Sequence, residues 1–149
     1  MTHDSLAAPG SGTYHRSPQR AKDELARLAH EGGSICFYGH THVMRAEVLS
    51  EGEGIVMVPM EPYEGDGLDP SPLHLKLGDH AWVGAGSAGF PTNKKRRAEF
   101  LILDESDGTD WRVEKYAIVY PRERTRARVR KVLAAPCGEA VAERISHWL

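Results

Sequence analysis

Residues 34–43 read Ser-Ile-Cys-Phe-Tyr-Gly-His-Thr-His-Val, and this segment decides how the rest of the chain is interpreted. Its first half, 34–38, is apolar and bounded by glycines on both sides, which is typical of a strand buried on both faces. Gly39 lets the chain turn, and His40 and His42 then follow with one residue between them, so both imidazoles can project toward a common centre. Histidine is a frequent ligand of Zn, Mn and Fe, and sites in α/β folds collect at the carboxyl ends of strands. With eight histidines in the chain, spacing alone also allows a chance pair.

Regular elements are predicted on both sides of this segment. Upstream, the pattern predicts a loop over 1–17 and a helix over 18–31, which starts with proline after Ser17 and stops at two glycines. Downstream, 34–119 is predicted to be a core of mostly antiparallel strands, with a hairpin at Asp107-Gly108. The predicted strands are 34–38, 43–49, 54–59, 74–77, 81–83, 98–103 and 111–119, and a long loop covers 60–72.

The sequence pattern at the end of the chain predicts two C-terminal helices within 122–148, separated near Pro136. Val129, Val132 and Leu133 form an apolar stripe on the first of these helices, among arginines that cover its exposed face. Together these patterns predict one α/β domain over 1–149, α+β by content, with flanking helices.

Composition limits the classes of function. The chain has 149 residues, 40% hydrophobic and 27% charged, which is ordinary for one soluble domain. A formal charge of −2 provides no basic field for nucleic acid, so no nucleic-acid partner is expected. Apolar runs fall far short of the roughly 20 residues of a spanning helix, and the start shows no signal-peptide pattern. We therefore expect a cytoplasmic protein with no membrane association.

Three motifs resemble those of one enzyme family. The order strand, Gly-His-Thr-His, strand resembles the last metal-binding motif of the calcineurin-like metallophosphoesterases, in which that loop ends a core strand. Residues 2–5, Thr-His-Asp-Ser, are similar to the family's preceding single-histidine motif, and 86–91, Gly-Ser-Ala-Gly-Phe-Pro, to its Gly-Ser-x-Gly-x-Pro turn. The run 111–120 and the arginine-rich helix resemble the closing strand and the C-terminal helix. These likenesses follow the family's order over nearly the whole chain.

The resemblance implies a fold and a chemistry. The fold would be the C-terminal part of a four-layer α/β/β/α sandwich, with two sheets between helices. The chemistry would be hydrolysis of a phosphoester by water activated at two divalent metal ions, Mn, Fe or Zn, about 4 Å apart. By this resemblance, His3 and His40 would serve one metal ion and His42 the other. Gly86, Ser87 and Gly89 would form a turn next to the substrate.

The family's first three motifs, Asp-x-His, Gly-Asp-x-x-Asp and Gly-Asn-His, have no counterpart ahead of His3. We therefore expect a truncated, partial domain that is inactive alone and binds metal weakly, since the carboxylates that offset the metal charge are missing. Besides a phosphoester substrate, the implied partner is a complementary N-terminal polypeptide. The alternative is a non-enzymatic partner-binding module or a degenerate fragment.

Other segments only imitate functional motifs. Residues 65–69 fit Gly-Asp-x-x-Asp and 78–80 are close to Gly-Asn-His, but too few residues separate them for the intervening helix and strand. Acidic residues beside glycine are also what surface turns use. Residues 84–89 fit the dinucleotide fingerprint Gly-x-Gly-x-x-Gly, yet Pro91 and the basic run 94–97 follow instead of a helix. We interpret that basic run as a solvated loop.

Overall fold

A computed structural model of the chain describes residues 6, 18–50, 52, 54–58, 72–89, 97–105 and 110–148. The elements of these residues are, in chain order, α1 (Pro18–His30), β1 (Ile35–Tyr38), β2 (Met44–Ser50), β3 (Gly54–Val58), β4 (Leu73–Leu75), β5 (His80–Ala85), β6 (Ala98–Asp104), β7 (Trp111–Ile118), α2 (Arg122–Cys137) and α3 (Glu139–Trp148). The predicted loops 1–17 and 60–72 lie outside the described residues, apart from residues 6 and 72.

The first sheet has the strand order β1-β5-β2-β3. Strand β1 runs parallel to β5, whereas β5 and β2, and β2 and β3, are antiparallel pairs. Although β1 and β2 follow one another in the chain, β5 lies between them. The five residues 39–43 therefore carry the chain from β1 across the end of β5 to reach β2.

The second sheet has the order β4-β7-β6 and is antiparallel throughout. Side chains alternate between the two faces of a strand, and one face of each sheet packs against the other sheet. The buried residues of this core come from both sheets: Ala46, Val48, Leu73, Leu75, Ala81, Val83 and Val113. Burial of these aliphatic side chains is the main force that holds the sheets together.

Helix α1 covers the other face of the first sheet. Its Leu25 and Leu28 pack in one buried cluster with Cys36, Tyr38 and Trp82 of the sheet. Leucines at positions three apart lie on the same face of a helix, which is why α1 can bury both against the strands. The layers are thus α1, the first sheet and the second sheet.

The two C-terminal helices pack against each other as a hairpin. Gly138 separates them with a φ of 80°, and its N–H donates to the carbonyl of Ala134. Arg130 of α2 and Glu143 of α3 form an ion pair of 2.7 Å between Nε and Oε2. Helix α2 buries none of its side chains, and Val132 of the predicted apolar stripe is 61% exposed. No helix in the described part of the chain is long and apolar enough to cross a membrane.

The fold class predicted from the sequence is confirmed at this level: it is mixed α+β, and the described residues form two mostly antiparallel sheets and three helices. The hairpin predicted at Asp107-Gly108 corresponds to the antiparallel pair of β6 and β7, although the turn itself lies outside the described residues.

The packing of α1 makes one prediction about stability. Leu25 is 0% exposed, so Leu25→Ala should lower the free energy of unfolding by about 3 kcal/mol, through lost burial and the cavity left behind. Leu77→Ala, at a position that is 86% exposed, should leave the free energy of unfolding nearly unaltered. Urea denaturation of both variants measures their free energies of unfolding. Equal losses of stability in Leu25→Ala and Leu77→Ala would contradict the packing of Leu25 against the first sheet.

Candidate functional site

The loop 39–43 lies at the carboxyl end of the parallel pair β1 and β5. Gly84 of β5 is the register partner of Tyr38 at the end of β1 and also of Arg45 near the start of β2. The two ends of the loop therefore flank the same residue of the central strand. His40 and His42 lie within this loop, both half-buried.

The backbone of the loop is unusual at both histidines. His40 has a φ of 61° and His42 a φ of 54°, in the left-handed region that side chains other than glycine adopt infrequently. Such residues cost on the order of 1–3 kcal/mol each and cluster at functional sites. The loop is closed by its own hydrogen bonds, since the Thr41 N–H donates to the Gly39 carbonyl at 2.6 Å and the Val43 N–H donates to Thr41 Oγ1 at 3.3 Å.

Gly84 explains how the loop can lie so close to β5. A Cβ atom at this position would be 2.6 Å from the carbonyl oxygen of Val43 and 3.0 Å from the hydroxyl oxygen of Tyr38. Only glycine avoids these collisions, because one of the obstructing atoms belongs to the main chain. The loop thus rests directly on the backbone of the central strand.

The turn that follows β5 lies at the same edge of the sheet. Ala85 pairs with Met44, and Gly86 comes next with a φ of 71°. The Ser87 N–H donates to Oε2 of the buried Glu99 at 3.3 Å, and the Glu99 N–H donates to the Ser87 carbonyl at 3.1 Å. A side chain at Gly86 would collide with that carboxylate. Glu99 therefore ties the turn to the first residues of β6 in the second sheet.

A buried polar cluster lies beside the loop on the face that α1 covers. The Nε of Arg45 donates to the hydroxyl of Tyr38 at 2.9 Å and lies 2.8 Å from Oε1 of Glu47. Burial, assisted by the nearby negative charge of Glu47, raises the pKa of Tyr38 to about 12, and Arg45 opposes that shift. Burial also raises the pKa of Glu47, against the opposing charge of Arg45.

The structure brings most of the predicted site residues together. His40, His42, Gly86 and Ser87 share one edge of the first sheet, and the exposed Gly89 belongs to the same turn. His3 lies outside the described residues. Whether the loop histidines are ligands is not tested by this arrangement and stays a prediction.

Imidazole nitrogens are ligand atoms of the type that Zn, Mn and Fe bind. Within the described ranges, however, no three His, Cys, Asp or Glu side chains are close enough together to hold a metal ion. Two imidazoles alone would leave the coordination shell of a metal ion incomplete.

Arg45, Glu47 and Glu99 are not among the site residues predicted from the sequence. One signal was present, because charged residues at alternate positions of an apolar strand share one face of it. The pattern does not show whether that face of the strand is buried, because its burial depends on which strands and helices cover it.

The tight contact at Gly84 leads to a prediction. Gly84→Ala should lower the free energy of unfolding by about 1–3 kcal/mol, because the new methyl group presses on the Val43 carbonyl. It should also shift the NMR signals of residues 39–43. Gly89→Ala is the matched control, since no atom of the residues that the structure describes lies within 4 Å of its added Cβ, and its stability should change little. A stable Gly84→Ala variant with unchanged loop signals would contradict this contact.

The raised pKa of Glu47 predicts a pH dependence. The folded protein holds this proton more tightly than the unfolded chain, in which the pKa returns toward its ordinary value of 4.5. Stability should therefore fall as the pH rises from 4.5 to the raised pKa of the folded state. Glu47→Gln should lose less stability over this interval, whereas Glu105→Gln at an exposed position should behave like the wild type. Urea unfolding between about pH 4 and pH 8 measures the difference, and parallel curves for all three proteins would refute it.

Comparisons with known proteins bear on the fold. No protein-family model matches the chain, and a search of curated proteins found no match. Among solved structures, the chain is similar to the crystal structure of a metallophosphoesterase from Sphaerobacter thermophilus, with a TM-score of 0.54 and 20% sequence identity. The likeness covers 99% of this chain and 55% of that chain, so this chain spans about half the length of the solved protein. At this identity the likeness is one of fold, and the chain has a metallophosphoesterase-like fold.

Proposed function

We propose that this chain forms the part of a metal-dependent phosphoesterase centre that carries the Gly-His-Thr-His loop, with His40 and His42 as metal ligands. The observation that carries the proposal is the loop itself. Two histidines occupy strained backbone conformations at the carboxyl end of the parallel strands, and a glycine of the central strand makes room beneath them. The fold likeness to a metallophosphoesterase supports it.

The loop 39–43 and the turn after β5 each have a role in the proposed site. The loop presents the imidazoles of His40 and His42 from a backbone whose conformation its own hydrogen bonds hold. At Gly86 the absence of a side chain lets the main chain approach a substrate phosphate closely. Bound divalent metal ions would supply Lewis acidity and lower the pKa of a water molecule, which is the chemistry that phosphoester hydrolysis needs.

The ligand set of the described residues is incomplete, so the proposal includes a complement. His3 is a further candidate ligand, and the carboxylates that neutralise the metal charge would come from a complementary polypeptide. We expect this chain alone to bind Mn, Fe or Zn weakly and to hydrolyse phosphoesters poorly or not at all. A cytoplasmic location belongs to the same proposal.

A partner-binding module without catalysis is the second candidate, and a different observation favours it. The outer face of the second sheet exposes large apolar side chains on β6 and β7, namely Phe100, Ile102 and Ile118. Exposed apolar surface of this kind is characteristic of contact with another protein. Metal binding distinguishes the two candidates.

Calorimetry with zinc tests the first candidate. We expect the wild-type chain to bind zinc with a dissociation constant on the order of micromolar. His40→Ala and His42→Ala should each weaken binding at least about tenfold, because each removes a ligand. His74→Ala is the control, since His74 is exposed on β4 of the second sheet. Zinc binding that neither loop variant alters would refute the assignment of ligands.

Hydrolysis of a chromogenic phosphodiester tests the need for a complement. We expect the isolated chain to show no turnover above that of the His40→Ala variant. Turnover at an ordinary enzymatic rate, lost in His40→Ala, would support the chemistry and contradict the need for a second polypeptide.

A further inference from the structure

The loop that carries His40 and His42 has ends that are held apart by a strand. Neighbouring strands lie about 4.8 Å apart, so β1 and β2, on either side of β5, are separated by about twice that distance. The main chains of both strands are hydrogen-bonded to β5. A direct link between the loop ends must therefore come from side chains that reach across β5.

Tyr38 and Arg45 make such a link. Both are register partners of Gly84, one on each side of it, and their side chains extend over the face that α1 covers. The absence of a side chain at Gly84 leaves the space in which they meet, with 2.9 Å between Arg45 Nε and the Tyr38 hydroxyl oxygen. A hydrogen bond thus spans the central strand directly below the loop.

Each partner of this hydrogen bond is itself fixed. The ring of Tyr38 stacks on the fully buried Trp82, with ring centroids 5.0 Å apart and an angle of 15° between the planes. Arg45 is held by Oε1 of Glu47 at 2.8 Å, and the Glu47 side chain is 2% exposed. Rotamers that are locked by packing and by second contacts are what a precisely placed loop requires.

We infer that Tyr38, Arg45 and Glu47 form a clasp that positions the histidine loop by tying its two ends across β5. Strained backbone persists only where surrounding contacts over-determine it, and the clasp supplies such contacts next to His40 and His42. The three residues act through the loop and are positioning residues. The claim that the loop binds metal rests on the proposed function, whereas the claim that the clasp orders the loop does not.

Hydrogen exchange of the metal-free protein tests the clasp. Tyr38→Phe keeps the stacked ring and removes the hydroxyl, so the amides of Thr41 and Val43 should exchange about five- to tenfold faster. Tyr116→Phe is the matched control, because its hydroxyl donates to Glu114 on the second sheet, away from the loop. Unchanged exchange at Thr41 and Val43 in Tyr38→Phe would overturn the inference.

Two further variants separate positioning from general stability. Arg45→Ala should loosen the loop as Tyr38→Phe does, and Arg45→Lys, which keeps a charged donor, should restore part of the protection. Leu75→Ala is the control for general stability, because buried Leu75 belongs to the core between the two sheets and not to the cluster that contains Tyr38. It should lower the stability without accelerating the loop amides selectively. If Leu75→Ala accelerates the loop amides as selectively as Tyr38→Phe does, the clasp has no specific role.

Cobalt affinity, followed by the visible spectrum of the bound ion, gives a second readout. Tyr38→Phe should weaken cobalt binding about tenfold and alter its absorption bands, while Tyr116→Phe should change neither. A wild-type chain that binds no cobalt would count against the proposed function, and the exchange data would still decide the clasp. Equal cobalt affinity and spectra in Tyr38→Phe and the wild type would overturn the role of the clasp in metal binding.

Discussion

The insertion of β5 between β1 and β2 is the constraint on which the rest of the site depends. Because β1 and β2 are consecutive in the chain but not adjacent in the sheet, five residues must cross the end of β5. That crossing places His40 and His42 at the edge where the parallel strands end. It also requires a residue without a side chain beneath the crossing, and Gly84 is that residue.

Charged groups are also buried near the loop. Glu47 lies on the α1 side of the first sheet and Glu99 lies beside the turn after β5, and both are almost fully buried. One oxygen of Glu47 has no hydrogen-bond partner among the described groups, which costs free energy. A fold that only had to be stable would gain by replacing such groups with apolar ones, so their presence is consistent with a positioning role.

The sequence predicted local elements well where a periodic pattern extends over several residues. Helix α1 follows from leucines at helical spacing between proline and two glycines, and the pair of β6 and β7 follows from two runs of β-forming residues joined by the hairpin signal Asp107-Gly108. The strand order did not follow, because β1 and β5 are paired across a long stretch of chain. Local periodicity contains no information about which distant strand becomes the neighbour.

The sequence by itself determined which functional groups are present: two histidines in a loop that starts at Gly39 after an apolar strand, and a glycine-rich turn further on. The tertiary structure alone decided what surrounds that loop. It brought Gly84 beneath the loop, joined Tyr38 to Arg45 across β5, and set Glu99 against the turn. The physical reason is that register and strand order determine which side chains share a buried face, and both arise from pairing between segments far apart in the chain.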